Sequence, residues 1–131
     1  MVRTRTFVPQ AAAIPVRRGR ICMVLSRGGK GLVVPKGCLK FGRTAKQMAL
    51  REAWEEAGLI GIVHPHPIGT FRYKKAGKHF EVVTFRMDVT TVVNTWPECR
   101  WRSRYWLRPT EAVARVRQRG LCKLLRKAVA A

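Results

Sequence analysis

Acidic residues are what this chain has least of. Its 131 residues carry 7 Asp and Glu against 27 Lys and Arg, a formal balance of +20, and no side-chain carboxylate occurs before Glu52. A surplus of that size repels itself, so the partners it suits are polyanions: nucleic acid, anionic lipid or small phosphate-rich molecules. Long apolar runs are missing too. No stretch approaches the ~20 apolar residues that a membrane-crossing helix needs, so no membrane span is expected. The four cysteines, Cys22, Cys38, Cys99 and Cys122, form no Cys-x-x-Cys pair. That spacing argues against a zinc ribbon or a dithiol redox site. No secretory leader is recognisable, and the thiols are expected free in a reducing, cytoplasmic compartment. No repeat, low-complexity tract or long Gly/Ser/Pro linker divides the chain. Its length suits one domain over residues 1–131, with residues 1–8 as a basic arm.

Hydrophobic residues make up 47% of the chain, enough for a real core. Ala11 to Val16 and Arg20 to Ser26 read as strands around a turn at Arg17-Arg18-Gly19, followed by the short apolar run Leu32-Val33-Val34. Pro35 to Arg43 reads as a loop. Thr44 can cap a helix over Ala45 to Ala57, which Gly58 stops. Ile68 to Tyr73 and Phe80 to Val89 suggest hairpin strands, and Trp101 to Leu107 alternates as another. Pro109 can open terminal helices over Thr110 to Val116 and Leu121 to Val129. Strands, helix, strands and helix again make an α+β sandwich with a mixed sheet.

Three of the seven acids, Glu52, Glu55 and Glu56, fall within five consecutive positions. At ~100° per residue they cover one arc of the helix, and Ala49, Ala53, Ala57, Leu50 and Trp54 cover the opposite arc. Like charges at i, i+4 repel. Arg51 can pair with Glu55, and hard divalent cations, which take oxygen ligands and bridge carboxylates to phosphates, suit the rest. Such ions also explain why a basic protein keeps a dense acidic spot. A solvated charged face is the plainer alternative.

The flanking residues change that balance. Gly37, Arg51, Glu52, Glu55, Glu56, Gly58 and Leu59 match in register a 23-residue pattern over 37–59 that resembles the Nudix box. Arg43 stands where that family usually has Glu, and Ala53 where it has a bulky aliphatic residue. Further on, Ile68-Gly69-Thr70-Phe71, a basic turn, Trp96-Pro97-Glu98 and Arg102-Ser103-Arg104-Tyr105-Trp106 resemble one branch. That branch is the diphosphoinositol polyphosphate phosphohydrolases, which also cleave diadenosine polyphosphates. The resemblance implies a Nudix-type α/β/α sandwich and a metal-dependent pyrophosphohydrolase acting on a polyphosphorylated small molecule. It implies that Glu52, Glu56 and the backbone carbonyl of Lys36 hold Mg²⁺ or Mn²⁺, with Glu55 as the base that deprotonates the attacking water and Arg51 orienting it.

For phosphate contacts, strand alternation places Arg100, Arg102 and Arg104 on one face, and guanidinium forks suit bidentate phosphate binding. Lys36, Lys40, Arg72, Lys74 and Lys78 are further candidates from flanking loops. Trp54 is expected in the core. Glu81 and Glu98 are possible extra ligands, and His64 and His66 read as an exposed loop. Two other functions fit the charge: an RNA 5′-end pyrophosphohydrolase, and a non-catalytic nucleic-acid-binding module on the same scaffold, for which Arg43 is the best argument.

Overall fold

The computed structural model describes residues 6–130. Most of the expected basic arm lies outside that range, and its last residues, Phe7 and Val8, already belong to the first strand. The strands are β1 (Phe7–Arg17), β2 (Arg20–Leu25), β3 (Leu32–Val33), β4 (Lys36–Cys38), β5 (Leu59–Val63), β6 (Gly69–Lys75), β7 (Lys78–Val92) and β8 (Arg104–Leu107). The helices are α1 (Ala45–Ala57), α2 (Pro109–Arg115) and α3 (Cys122–Ala130), the last two joined by a 3₁₀ turn at Arg119–Leu121.

One mixed sheet runs β3-β2-β1-β7-β5, with β4 on β1, β6 on β7 and β8 on β2. β1 and β7 pair in parallel from Phe7↔His79 to Val16↔Asp88, and the other pairings are antiparallel. Two tight hairpins have positive φ at both central residues, Arg18-Gly19 and Ala76-Gly77. That geometry matches the twist of the strands it joins.

β1 is buried on both faces. Ala11 and Ala13 join Cys22, Val24, Leu59 and the α1 residues Met48, Ala49, Ala53 and Ala57 in one apolar cluster. Ala12, Ile14 and Val16 join Ile21, Met23, Leu121, Leu124, Leu125 and Ala128 beneath α2 and α3 in the other. The period of two in strand side chains therefore splits β1 between two cores. The result is the expected α/β/α sandwich. Alanines meet alanines where α1 lies on β1, which brings the helix close to the start of β4.

Two strands depart from expectation. β4 occupies part of the stretch read as a loop, because Lys36, Gly37 and Cys38 pair with Ala12, Ala11 and Gln10. β5 follows directly on the helix stop and pairs with the end of β7. The last strand begins at Arg104. Glu98 to Trp101 instead form turns closed by Trp101 N–H to Glu98 O and Arg102 N–H to Glu98 O. No helix among the described residues is long and apolar enough to cross a membrane.

Candidate active site

α1 is fixed at both ends. The Thr44 hydroxyl accepts the Gln47 N–H at 3.1 Å, and the Gln47 side chain accepts the Thr44 N–H at 2.9 Å, a reciprocal cap. At the other end Gly58, with φ +66°, returns its N–H to Ala53 and Trp54. A side chain there would run into Trp96 and Arg104. Trp96 Nε1 donates to Glu56 O at 3.0 Å, and Glu98 N–H donates to Glu55 O at 3.1 Å. The turn before β8 is thereby pinned to α1, and Glu98 is carried to the helix carboxylates.

These carboxylates do not form a solvated stripe. Glu56 is 5% exposed, among the best-buried residues of α1, while Leu50 and Trp54 are exposed at 40% and 36%. The buried arc of α1 is thus Met48, Ala49, Ala53, Ala57 and Glu56, displaced from the arc of small residues and Trp54 read from the sequence. Trp54 is an exposed residue. The displacement has a physical cause: the helix packs on β1 and β4, and from there Glu56 accepts the Lys36 N–H and faces Arg102.

Lys36 N–H donates to Glu56 Oε2 at 3.3 Å, and Arg102 Nη1 stands 3.6 Å from Glu56 Oε1. Arg102 Nε also donates to Glu98 Oε1 at 2.8 Å, and its Nη1 to Leu25 O at 2.8 Å. Burial, together with Glu52 and Glu98 nearby, raises the Glu56 carboxyl against the opposing pull of Arg102 and Lys36. Burial first, then the charges of Glu55 and Glu98, pushes Glu52 up to about 7. Glu55 is held by Arg51, whose Nε lies 2.7 Å from Glu55 Oε1.

Gly37 lies against the Glu52 carboxylate so closely that a Cβ would overlap it. Glu52 Oε2 is buried and has no hydrogen-bond partner. Among the described residues no three His, Cys, Asp or Glu side chains enclose a common cation position as they stand. The donor chemistry nevertheless fits a hard divalent ion: an orphaned buried carboxylate oxygen, and raised carboxyls that a cation would bring back down. Glu52 and Glu56 would hold it, with the Lys36 peptide at their edge and Glu98 beside them.

On the other side of Lys36 and Arg102 opens a cavity of about 490 Å³. Its wall includes Lys36, Arg72, Lys75, Arg102, Arg117 and Arg119. Lys36 Nζ lies 5.3 Å from the centre of the Tyr73 ring, and burial holds its ammonium below the usual lysine range. Tyr73 is stacked on Phe80 at 4.8 Å and donates its hydroxyl to Gln10 Oε1 at 2.6 Å.

The model of the NUDIX domain matches residues 7–125. The chain belongs to the Nudix family. It is 35% identical over 94 residues to Nudix hydrolase 17, mitochondrial, of Arabidopsis thaliana, covering 70% of this chain and 51% of that one. To Nudix hydrolase 12, mitochondrial, of the same plant it is 33% identical over 123 residues, covering 85% and 61%. The chain thus spans about half to three-fifths of the length of these curated relatives. Its fold is shared with the Ap4A hydrolase of C. elegans, at TM-score 0.76 and 20% identity over 95% of this chain and 98% of that one. It is shared as well with the E. coli ORF135 protein, at TM-score 0.74 and 18% identity over 96% and 91%.

The Nudix box therefore spans β4, the following loop and α1. Of the residues expected in the site, Glu52, Glu55, Glu56, Arg51 and Lys36 come together, and Arg102 and Arg72 reach the cavity. Lys40 is exposed on the box loop, near enough for its charge to oppose the rise in Glu52. The shared strand face of Arg100, Arg102 and Arg104 is not found. Arg100 sits in a turn, Arg102 precedes β8, and Arg104 turns back to donate to Ala57 O at 2.8 Å while stacking on Trp96 at 4.2 Å. Period-two alternation fails there because the backbone is not yet extended. Glu81 pairs with Arg72 on the β6–β7 hairpin, and His64 with Asp88, at 2.7 Å each. The sequence offered no spacing to single out Glu98, nor Lys75, Arg117 and Arg119 on the cavity wall. In a Nudix chain with 27 cations, only the fold says which ones converge.

Proposed function

We propose that this chain is a divalent-cation-dependent pyrophosphohydrolase that cleaves a diphosphate linkage in a compact, phosphate-rich small molecule. Diphosphoinositol polyphosphates lead the candidates and diadenosine polyphosphates follow. One observation carries the reading: the carboxylates of α1 and the cation-lined cavity share a wall, formed by Lys36 and Arg102. A polyanion in the cavity would present a phosphate at the carboxylate edge. Tyr73 is the cavity's aromatic ring, and its engagement with Phe80 and Gln10 leaves little to stack on a base. That ranks the inositol compounds ahead of the dinucleotides.

When bound, Mg²⁺ or Mn²⁺ would neutralise phosphate oxygens and make a water acidic enough to lose a proton near neutral pH. Glu55, held by Arg51, takes the proton of the attacking water. The new P–O bond forms as the bridging P–O bond breaks, and the departing phosphate keeps the electron pair. Arg117 and Lys75 bind the non-bridging oxygens, the Arg117 fork in a pair, and Arg102 adds its charge from the shared wall. A cytoplasmic location belongs to the same proposal, supported by four cysteines that form no disulfide.

A phosphate-release panel with Mg²⁺ tests the reading, using inositol pyrophosphates, dinucleoside polyphosphates, sugar nucleotides and 5′-triphosphorylated RNA. Hydrolysis of the first two, lost in Glu56→Gln, is the expected result. Equal turnover in that variant removes the assignment. RNA 5′ ends form a second reading, favoured by exposed cations beyond the cavity, among them Lys78, Lys123 and Arg126. It requires hydrolysis of long RNA that falls steeply as salt rises.

A further inference from the structure

The cation in contact with the acidic cluster is one of the chain's own. Arg102 has a side chain only 12% exposed, and it stands against both Glu56, 6% exposed, and Glu98, 20% exposed. Its Nε–H is given to Glu98, and its Nη1 faces Glu56 and the Leu25 carbonyl. A buried guanidinium between two carboxylates is well satisfied, and removing it leaves the buried Glu56 and the half-buried Glu98 without their cation. Beside this trio, Glu52 Oε2 is buried without a partner, so Arg102 serves two of the carboxylates and leaves the third unmet. Arg102 also forms part of the wall of the basic cavity.

Resting on the metal-dependent reading above, we propose that Arg102 is a positioning residue, a tethered counter-cation that holds Glu56 and Glu98 in shape and competes with the divalent ion for Glu56. A divalent ion drawn in by the unmet Glu52 oxygen must take Glu56 Oε1 from the guanidinium. The guanidinium, relieved of Glu56 and still held by Glu98 and the Leu25 carbonyl, already borders the cavity in which the phosphates lie. Ion binding and phosphate binding are coupled through one side chain.

The competition has a distinctive sign. A residue that merely supports the site weakens ion binding when removed, whereas a competing cation strengthens it. Mn²⁺ alone, titrated by calorimetry into the full chain, should bind Arg102→Gln about tenfold more tightly than wild type, the scale of one close charge pair at a partly shielded site. Without Mn²⁺ the thermal midpoint of Arg102→Gln should fall, and saturating Mn²⁺ should raise it further than in wild type. Arg102→Lys keeps the charge without the fork, and its affinity should lie between the two. Equal or weaker Mn²⁺ binding in Arg102→Lys, with a native circular dichroism spectrum, overturns the proposal even where Arg102→Gln does not fold. A wild-type chain that takes up no Mn²⁺, with or without inorganic pyrophosphate, overturns the functional reading itself.

Discussion

Arg51 Nε donates to Glu55 Oε1 at 2.7 Å across one turn of α1, and both side chains are about one-third exposed. An exposed pair of this kind adds little to stability, so its value lies in where it aims the carboxylate. Glu55 is the more exposed neighbour of the buried Glu56, as suits a group that must meet a water. Replacing Glu55 by Gln should lower kcat by about 10²–10⁴, the usual share of a general base. Arg51→Met should lower kcat by about tenfold with KM little changed, since a misaimed base loses rate rather than affinity. Arg51→Lys should recover part of it. A rise in KM without loss of kcat would make Arg51 a substrate contact. Steady-state kinetics on the best substrate of the panel separate the two.

Gly37 is required for space, not for backbone freedom. It has no positive φ, yet a Cβ at this position would overlap the Glu52 carboxylate. Gly37→Ala should therefore fold and keep its sheet, while pushing Glu52 out of the cluster. Mn²⁺ affinity should fall by about 10–100-fold, the range seen when the support of a metal ligand is lost. Gly42→Ala is the control: its φ of +82° gives mild strain, but nothing lies within 4 Å of the added carbon. It should cost a little stability and leave ion binding intact.

The buried acids make stability depend on pH in an unusual direction. Glu52 ionises at about 7 in the folded chain, against an ordinary value of 4.5. Between those values the folded state holds a proton that the unfolded state has released. Stability from this group therefore falls as pH rises from 4.5 to 7, and then levels off. Glu56 is raised by burial in the same sense. Glu52→Gln removes the penalty, so its advantage over wild type in EDTA should be absent near pH 4.5 and grow up to about pH 7. Saturating Mn²⁺ should reverse the order by stabilising only the wild type. Urea denaturation across the pH series shows the trend, and a gap independent of pH would refute it.

Much of the sandwich could be read in the chain because its signals are local. Thr44 and Gly58 delimit α1, the hairpin turns are marked by glycine, and Pro109 opens α2. The box spacing named Glu52, Glu55 and Glu56 for the same reason: they lie within two turns of one helix. The features without a local signal depend on long-range pairing. β4 exists because Gly37 and its neighbours meet β1 more than twenty residues away, and β5 because β7 extends to Val92. Trp54 lies outside the core while Glu56 takes a buried position, a choice made by packing and not by periodicity. Arg104, a phosphate candidate by strand alternation, closes the end of α1 with its guanidinium. Glu98 joins the cluster through long-range ties: its backbone bond to Glu55, the Trp96 bond to Glu56 O and the pairing with Arg102.

The cavity cations give the last prediction. Val116 bridges Leu32, Arg117 N–H donates to Leu32 O at 2.9 Å, and Arg117 Nη1 lies 3.4 Å from Ser26 Oγ. The residue is thus tied to β3 from the far end of the sequence, with its side chain on the cavity wall. Arg115 lies two positions earlier, exposed in the last turn of α2 and not on that wall. A charged hydrogen bond to phosphate contributes about 1.5–3 kcal/mol, so Arg117→Ala should raise KM by about 10–100-fold with kcat nearly unchanged. The effect should be largest for the substrate with most phosphates, and added salt should raise the wild-type KM toward that of the variant. Arg115→Ala carries the same loss of net charge and should leave KM where it was. If both variants shift KM alike, the substrate is responding to the overall +20 of the chain and not to the cavity.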